Sequence, residues 1–153
     1  MLQNQVEILL IEDNHDEAEL AIRSLKKNNL SNNLVHIDDG AEALDYIFCK
    51  GKYSSNDCIS PKVILLDLKL PKVNGLEILK QLKADDRTKM IPVVILTSSK
   101  EDSDILKGYT LGANSYMVKP VNFDSFAKAI AELGMYWILL NQRPPAAAIP
   151  PAE

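Results

Sequence analysis

Val6–Ile11, Val63–Asp67 and Pro92–Thr97 are runs in which apolar residues follow one another with almost no alternation, while the segments between them carry apolar residues three and four positions apart. An unbroken apolar run predicts a strand covered on both faces, the usual state of a central strand in a parallel sheet. Helical spacing predicts one face in the core and one in water. The first helix follows Asn14, a capping residue with Glu17 three positions on, and its stripe is Ala18, Ala21, Ile22 and Leu25. Asn28-Asn29 ends it. A short strand over Leu34–Ile37 turns at Asp38-Asp39-Gly40 into a second helix with Ala43, Leu44, Ile47 and Phe48 on one face. Lys50 to Ser60 is a polar surface loop closed by Pro61. After the strand at Val63, Asn74-Gly75 opens a helix carrying Leu76, Leu79 and Leu82, and Pro92 to Thr97 forms a fourth strand. A more polar helix is expected over Ser99–Leu111, with Gly112 as its terminator. Ser115 to Lys119 is a fifth strand, and a long helix is expected from Phe123 to Leu140. Five alternating β-α units imply a parallel sheet with helices on both faces. Periodicity alone does not order the strands.

Polar residues fall where these strands end. Glu12 and Asp13 follow the first, Asp67 the third, Thr97 the fourth and Lys119 the fifth. Ligands of parallel α/β sheets gather beyond the carboxyl ends of the strands, so these side chains are expected on one rim. Clustered acids repel one another unless they are protonated or share a cation, and such hard oxygen donors suit Mg²⁺. An aspartate beside Mg²⁺ can attack phosphorus, while a lysine holds a phosphoryl oxygen as a point charge and a threonine hydroxyl donates to another. An acid at a strand end is, taken singly, often a helix cap. The convergence of several such groups points to a site. His15 and His36 have no evident relay partner and read as structural, with His15 close enough to the acids to tune them by its charge. The isomer of the Lys119-Pro120 bond stays open.

With 153 residues, 46% of them hydrophobic, the chain is expected to build one domain. Its formal net charge of −4 and its scattered Lys and Arg argue against a nucleic-acid surface. No stretch approaches a membrane span, and the N-terminus has neither a basic leader nor a small-residue cleavage site, so a cytoplasmic location is expected. Two cysteines, Cys49 and Cys58, lack metal-type spacing and are expected as reduced thiols.

From about residue 5 to 141 the chain resembles the receiver domain of two-component response regulators. The resemblance rests on Glu12-Asp13, Asp67 with Leu70-Pro71 and Gly75 behind it, Thr97-Ser98, and Lys119-Pro120, in this order and at family-like separations. It implies a flavodoxin-like (βα)5 fold of strand order 2-1-3-4-5. It implies that Asp67 is the phospho-acceptor and that Asp13, Asp67 and the Lys69 carbonyl ligate Mg²⁺, with Glu12 acting through water. Thr97 and Lys119 would contact the phosphoryl group, and Tyr116 matches the aromatic switch position. The long loop before Pro61, Leu65-Leu66-Asp67-Leu68 and the ending Tyr136-Trp137 to Asn141 followed by prolines are most similar to single-domain regulators paired with cyanobacterial phytochromes. That likeness implies a sensor histidine kinase, of phytochrome type, as phosphoryl donor. Lys69, a bulky cation two residues after the acceptor, departs from the common pattern and bears on phosphoryl lifetime.

The boundaries expected are a receiver domain over 1–141 and a Pro/Ala-rich tail over 142–153. Met135-Tyr136-Trp137-Ile138-Leu139-Leu140 is apolar on every side, more than one buried face requires, so a homodimer through the last helix is expected. No DNA-binding or catalytic domain follows, which makes protein contact the expected output and confines the chemistry to the chain's own phosphorylation and dephosphorylation. Three rival functions share parts of this pattern. A metal-dependent aspartyl phosphatase usually needs a second acid where Lys69 stands, and a flavin carrier needs a Gly/Ser/Thr phosphate loop where Glu12 to Glu17 would repel phosphate. A phosphorylation-independent interaction module retains the fold without the chemistry.

Overall fold

The structure is a computed structural model and describes residues 6–30, 33–55 and 60–145. Five strands, β1 (Ile8–Ile11), β2 (Leu34–Ile37), β3 (Val63–Leu66), β4 (Val93–Thr97) and β5 (Ser115–Val118), form one parallel sheet of order β2-β1-β3-β4-β5. They alternate with α1 (His15–Lys27), α2 (Gly40–Ile47), α3 (Gly75–Ala84), α4 (Asp102–Thr110) and α5 (Phe123–Gly134). This is the flavodoxin-like arrangement, whose strand order reverses between β1 and β3. Among the described residues no helix is long and apolar enough to cross a membrane.

Successive side chains of a strand point to opposite faces, and here both faces are apolar. Ile8, Leu10, Val63, Leu65, Val94 and Leu96 meet Ala18, Ala21 and Leu25 of α1 and Phe126, Ile130 and Leu133 of α5. Leu9, Ile11, Ile64, Leu66, Val93 and Ile95 meet Ala43 and Ile47 of α2 and Ile78, Leu79 and Leu82 of α3. Two helix layers thus explain why β1, β3 and β4 show no polar alternation. Four helices begin at a side-chain cap: Asn14, Asp39, Asn74 and Asn122 accept from the backbone N–H groups of Glu17, Glu42, Glu77 and Ser125.

Two helices differ from the sequence reading. α4 starts at Asp102, not Ser99, because Ser99 is engaged elsewhere: its hydroxyl donates to Asp104 Oδ2 (2.5 Å) and its carbonyl accepts from the Tyr116 hydroxyl (2.9 Å). After Gly134 the last helix widens into a π-helical segment, Met135–Leu140, closed by the Asn141 N–H on the Tyr136 carbonyl. The wider turn advances the buried face by about one residue. Ile138 is therefore buried where regular α-helical spacing would bury Trp137, which packs only partly against the core. Lys50 to Ser60, read as loop, holds a 3₁₀ turn over Gly51–Tyr53.

The expectation for the thiols is corrected at Cys49, which is disulfide-bonded. Cys58, the chain's other cysteine, lies outside the described residues, as does the tail from residue 146 onward. A low cysteine count argues against a scaffold of several bridges and does not bear on a single one. No cis peptide bond occurs among the described residues, so Lys119-Pro120 is trans.

Candidate functional site

Three of the charged residues at the rim are carried one residue past a strand by a continuing ladder bond. The Glu12 N–H donates to the Ile37 carbonyl (3.1 Å), the Asp67 N–H to Ile11 (3.0 Å) and the Lys119 N–H to Thr97 (2.7 Å). Backbone pairing, not side-chain chance, therefore sets where Glu12, Asp67 and Lys119 stand. Behind Asp67 the start of α3 is pressed onto the backbone. A Cβ on Gly75 would lie 2.3 Å from the Asp67 carbonyl oxygen and 2.7 Å from Leu68 Cα, so the close approach requires glycine.

Glu12, Asp13 and Asp67 offer carboxylate oxygens that all lie within 4.8 Å of one another, with Glu12 and Asp67 buried and Asp13 exposed. The Lys119 ammonium is buried among acids: it donates to Glu12 Oε1 (2.5 Å), Asp67 Oδ2 (3.0 Å) and Glu17 Oε2 (2.5 Å). The second oxygens are also used. Asn14 donates its N–H to Glu12 Oε2 (3.3 Å), and Lys69 donates its N–H to Asp67 Oδ1 (3.3 Å). Lys69 itself is exposed and meets the site through its backbone.

Burial raises the Glu12 carboxyl to about 8, helped by its hydrogen bond with Asp67 and opposed by Lys119. Burial pushes Asp67 the same way, but the hydrogen bond with Glu12, the Lys119 charge and the Lys69 N–H outweigh it, and Asp67 ends below its ordinary value. The shared environment thus favours the protonated form of Glu12 and the ionised form of Asp67. Burial works against the Lys119 ammonium, yet hydrogen bonds to Glu12 and Glu17 and the nearby negative charge hold its pKa above the ordinary value. Such hard, partly buried carboxylates with one open exposed member fit a divalent cation, which would displace the Glu12 proton.

Thr97 ends β4, fully buried, with its Oγ1 accepting from the Ser99 N–H (3.5 Å). Tyr116 pairs with Ile95 across the β4–β5 ladder, and its ring lies over Gly108 of α4, where a Cβ would come within 3.3 Å of it. Thr97, Ser99, Asp104 and Tyr116 form one chain of contacts leading from the rim to α4. One member of the rim lies beyond the sequence expectation. The spacing Asn14-x-x-Glu17 predicts a capping box, whereas the Glu17 carboxylate goes to Lys119. His15, expected without a partner, lies 3.1 Å from Asp38 Oδ2, and a His36 ring nitrogen contacts the Glu12 carbonyl (2.8 Å). Asp38 in the turn before α2 was the available signal for His15.

Residues 8–131 match the family model for the response regulator receiver domain. Response regulator Rcp1 of Synechocystis sp. is 34% identical over 131 residues, covering 86% of this chain and 88% of that protein. The phosphorylated cyanobacterial phytochrome response regulator RcpA superposes with a TM-score of 0.85 at 32% identity, over 92% of this chain and 99% of that one. An Mn²⁺-bound form of Rcp1 matches with the same score and coverage. The bacteriophytochrome response regulator RtBRR is 50% identical, with a TM-score of 0.72, over 92% of this chain and 85% of that one. With a matching sheet, a rim of three acids and a lysine, and similarity along nearly its whole length, the chain belongs to the response regulator receiver domain family, close to the single-domain regulators of cyanobacterial phytochromes.

Proposed function

We propose that the protein is a phospho-accepting signalling switch in a two-component relay, with Asp67 as acceptor. The observation that carries this reading is the place of the Asp67 carboxylate: at the end of a central strand, 3.0 Å from the Lys119 ammonium and clustered with Glu12 and Asp13. A sensor histidine kinase, of phytochrome type given the likeness to RcpA, Rcp1 and RtBRR, supplies the phosphoryl group. An Asp67 oxygen attacks phosphorus, the P–N bond of the phosphohistidine breaks, and its electron pair returns to the protonated imidazole, which leaves neutral. Asp13, Asp67 and Glu12, with the Lys69 carbonyl, would hold a Mg²⁺ ion, which would supply charge neutralisation at the phosphoryl oxygens. Lys119 grips one phosphoryl oxygen and Thr97 donates to another. Movement of Thr97 is passed through Ser99 to Tyr116, whose hydroxyl bond to the Ser99 carbonyl is the contact that changes.

Residues 1–141 act in this reading as the receiver unit and 142–153 as a tail, in the cytoplasm, without nucleic acid. The only chemistry is the chain's own phosphorylation and hydrolysis. Output is a protein contact. Met135, Tyr136, Leu139 and Leu140, between 48% and 64% exposed, form the apolar patch on which a second copy pairs. Charging that patch with Leu139→Glu and Leu140→Glu should lower the mass seen by light scattering to that of one chain; an unchanged mass would reject pairing through this segment. For the switch itself, incubation with acetyl phosphate and Mg²⁺ should add one phosphoryl group by intact mass, absent in Asp67→Asn and after chelation. A module that works without phosphorylation would acquire none.

A further inference from the structure

Glu17 closes no capping box on its helix. In a capping box the acid three residues after the cap reaches back to the cap's own N–H. Here the Asn14 N–H goes to Glu12 Oε2, and the Glu17 carboxylate reaches across to a different strand end, 2.5 Å from Lys119 Nζ. The Glu17 N–H is already taken by Asn14 Oδ1 at 3.0 Å, so α1 is capped whatever that side chain does. Glu17 also stands outside the metal-type cluster of Glu12, Asp13 and Asp67.

We propose that Glu17 is a positioning residue for Lys119, the carboxylate that keeps the ammonium at the rim when a divalent cation claims Glu12 and Asp67. The inference rests on the metal and phosphoryl reading above and adds a regulator to that site. Lys119 has three carboxylate partners, two of which a cation would also use. An ammonium and a divalent ion compete for the same oxygens and repel one another. Once Glu12 and Asp67 serve the cation, Glu17 is the remaining acid partner of an ammonium whose side chain is only 6% exposed. Its bond counts for more then than when it is one of three, so its loss penalises the cation-bound protein more than the cation-free one. The bond also keeps Lys119 beside Asp67, where a phosphoryl oxygen arrives.

Cation affinity reads this directly, without any turnover. Free Mn²⁺ counted by its EPR signal should show that Glu17→Gln binds the ion on the order of three- to tenfold more weakly than wild type, the equivalent of about one partly exposed charged hydrogen bond. A general loss of negative charge would also weaken binding, and the Lys119→Met background separates the two. There Glu17→Gln should have no further effect, since the partner through which Glu17 acts is gone. An equal loss in both backgrounds, or no loss in either, overturns the proposal. Glu17→Asp keeps the charge and shortens the reach by one methylene, leaving α1 capped, so it serves even if Lys119→Met folds poorly. It should weaken binding much as Glu17→Gln does, and wild-type affinity in Glu17→Asp rejects the positioning role. Wild-type protein that binds no Mn²⁺ would instead sink the metal reading itself, a result distinct from either.

Discussion

A carboxyl that keeps its proton near neutral pH leaves a mark on stability. Glu12 is raised from 4.5 to about 8, so between these values the folded protein binds a proton that the unfolded chain releases. Its contribution is fully present below 4.5 and is lost as pH rises through about 8. In the presence of a chelator the melting temperature should fall by several degrees between pH 5 and pH 8, and Glu12→Gln should flatten that dependence. A flat wild-type profile would contradict the raised Glu12 pKa. Asp67, whose pKa is lowered, acts in the opposite sense and at lower pH: its contribution is present above the ordinary carboxylate range and lost in acid. Glu12, Asp13, Asp67 and Lys119 were legible as a group because each follows a strand in a recognisable order. Glu17 was not, since Asn14-x-x-Glu17 has a sufficient local explanation in the capping box, and nothing local shows that a residue from another strand takes its carboxylate. The His15–Asp38 contact was hidden because it joins the start of α1 to the turn before α2, which only the fold brings together.

Close approach decides which elements tolerate change. Gly75→Ala would set a methyl group 2.3 Å from the Asp67 carbonyl oxygen, and backbone cannot swing aside as a side chain can. The expected cost is about 1–3 kcal/mol in urea unfolding, together with slower phosphorylation, because α3 and the Asp67 loop must part. Wild-type stability and rate would show that the contact does not position the acceptor. At the far rim, Lys83 of α3 donates to the Lys89 carbonyl (3.0 Å), the Ile91 carbonyl (2.9 Å) and Asn114 Oδ1 (3.1 Å), tying α3 to the entries of β4 and β5. Asn114 Oδ1 also accepts from the Val93 N–H (2.9 Å). Lys83→Met should destabilise by about 1–3 kcal/mol with phosphorylation retained, since nothing in that tie touches the acceptor rim. The central strands were legible to within one or two residues, the first starting at Ile8 rather than Val6, because a strand covered on both faces leaves an apolar run that no exposed helix shows. The helix starts after Asn14 and Asn74 were legible through their caps, whereas the caps at Asp39 and Asn122 emerge only from the fold. The late start of α4 and the widened turn after Gly134 were not. Ser99 is withdrawn from α4 by Tyr116 and Asp104, and a Cβ on Gly134 would meet Leu25 Cδ2 at 2.5 Å, contacts made only in the assembled domain.

At the scale of the molecule, the two rims of one sheet divide the work. The carboxyl ends of the strands gather charge, and the opposite ends and both faces hold the chain together through apolar packing and ties such as Lys83. Buried charge is costly, and a cluster of two buried acids and a buried lysine is worth keeping where it performs chemistry. The Thr97–Ser99–Tyr116 chain leads from that cluster toward α4, whose only buried residue is Gly108 and which is therefore the helix most easily shifted. The most direct test of the whole account locates the phosphoryl bond. Protein treated with acetyl phosphate and Mg²⁺ is reduced with borohydride, which converts an aspartyl phosphate to homoserine, and the modified residue is read by tandem mass spectrometry. The account expects conversion at Asp67 alone, abolished by chelation; conversion at another acid, or none at all, would contradict it.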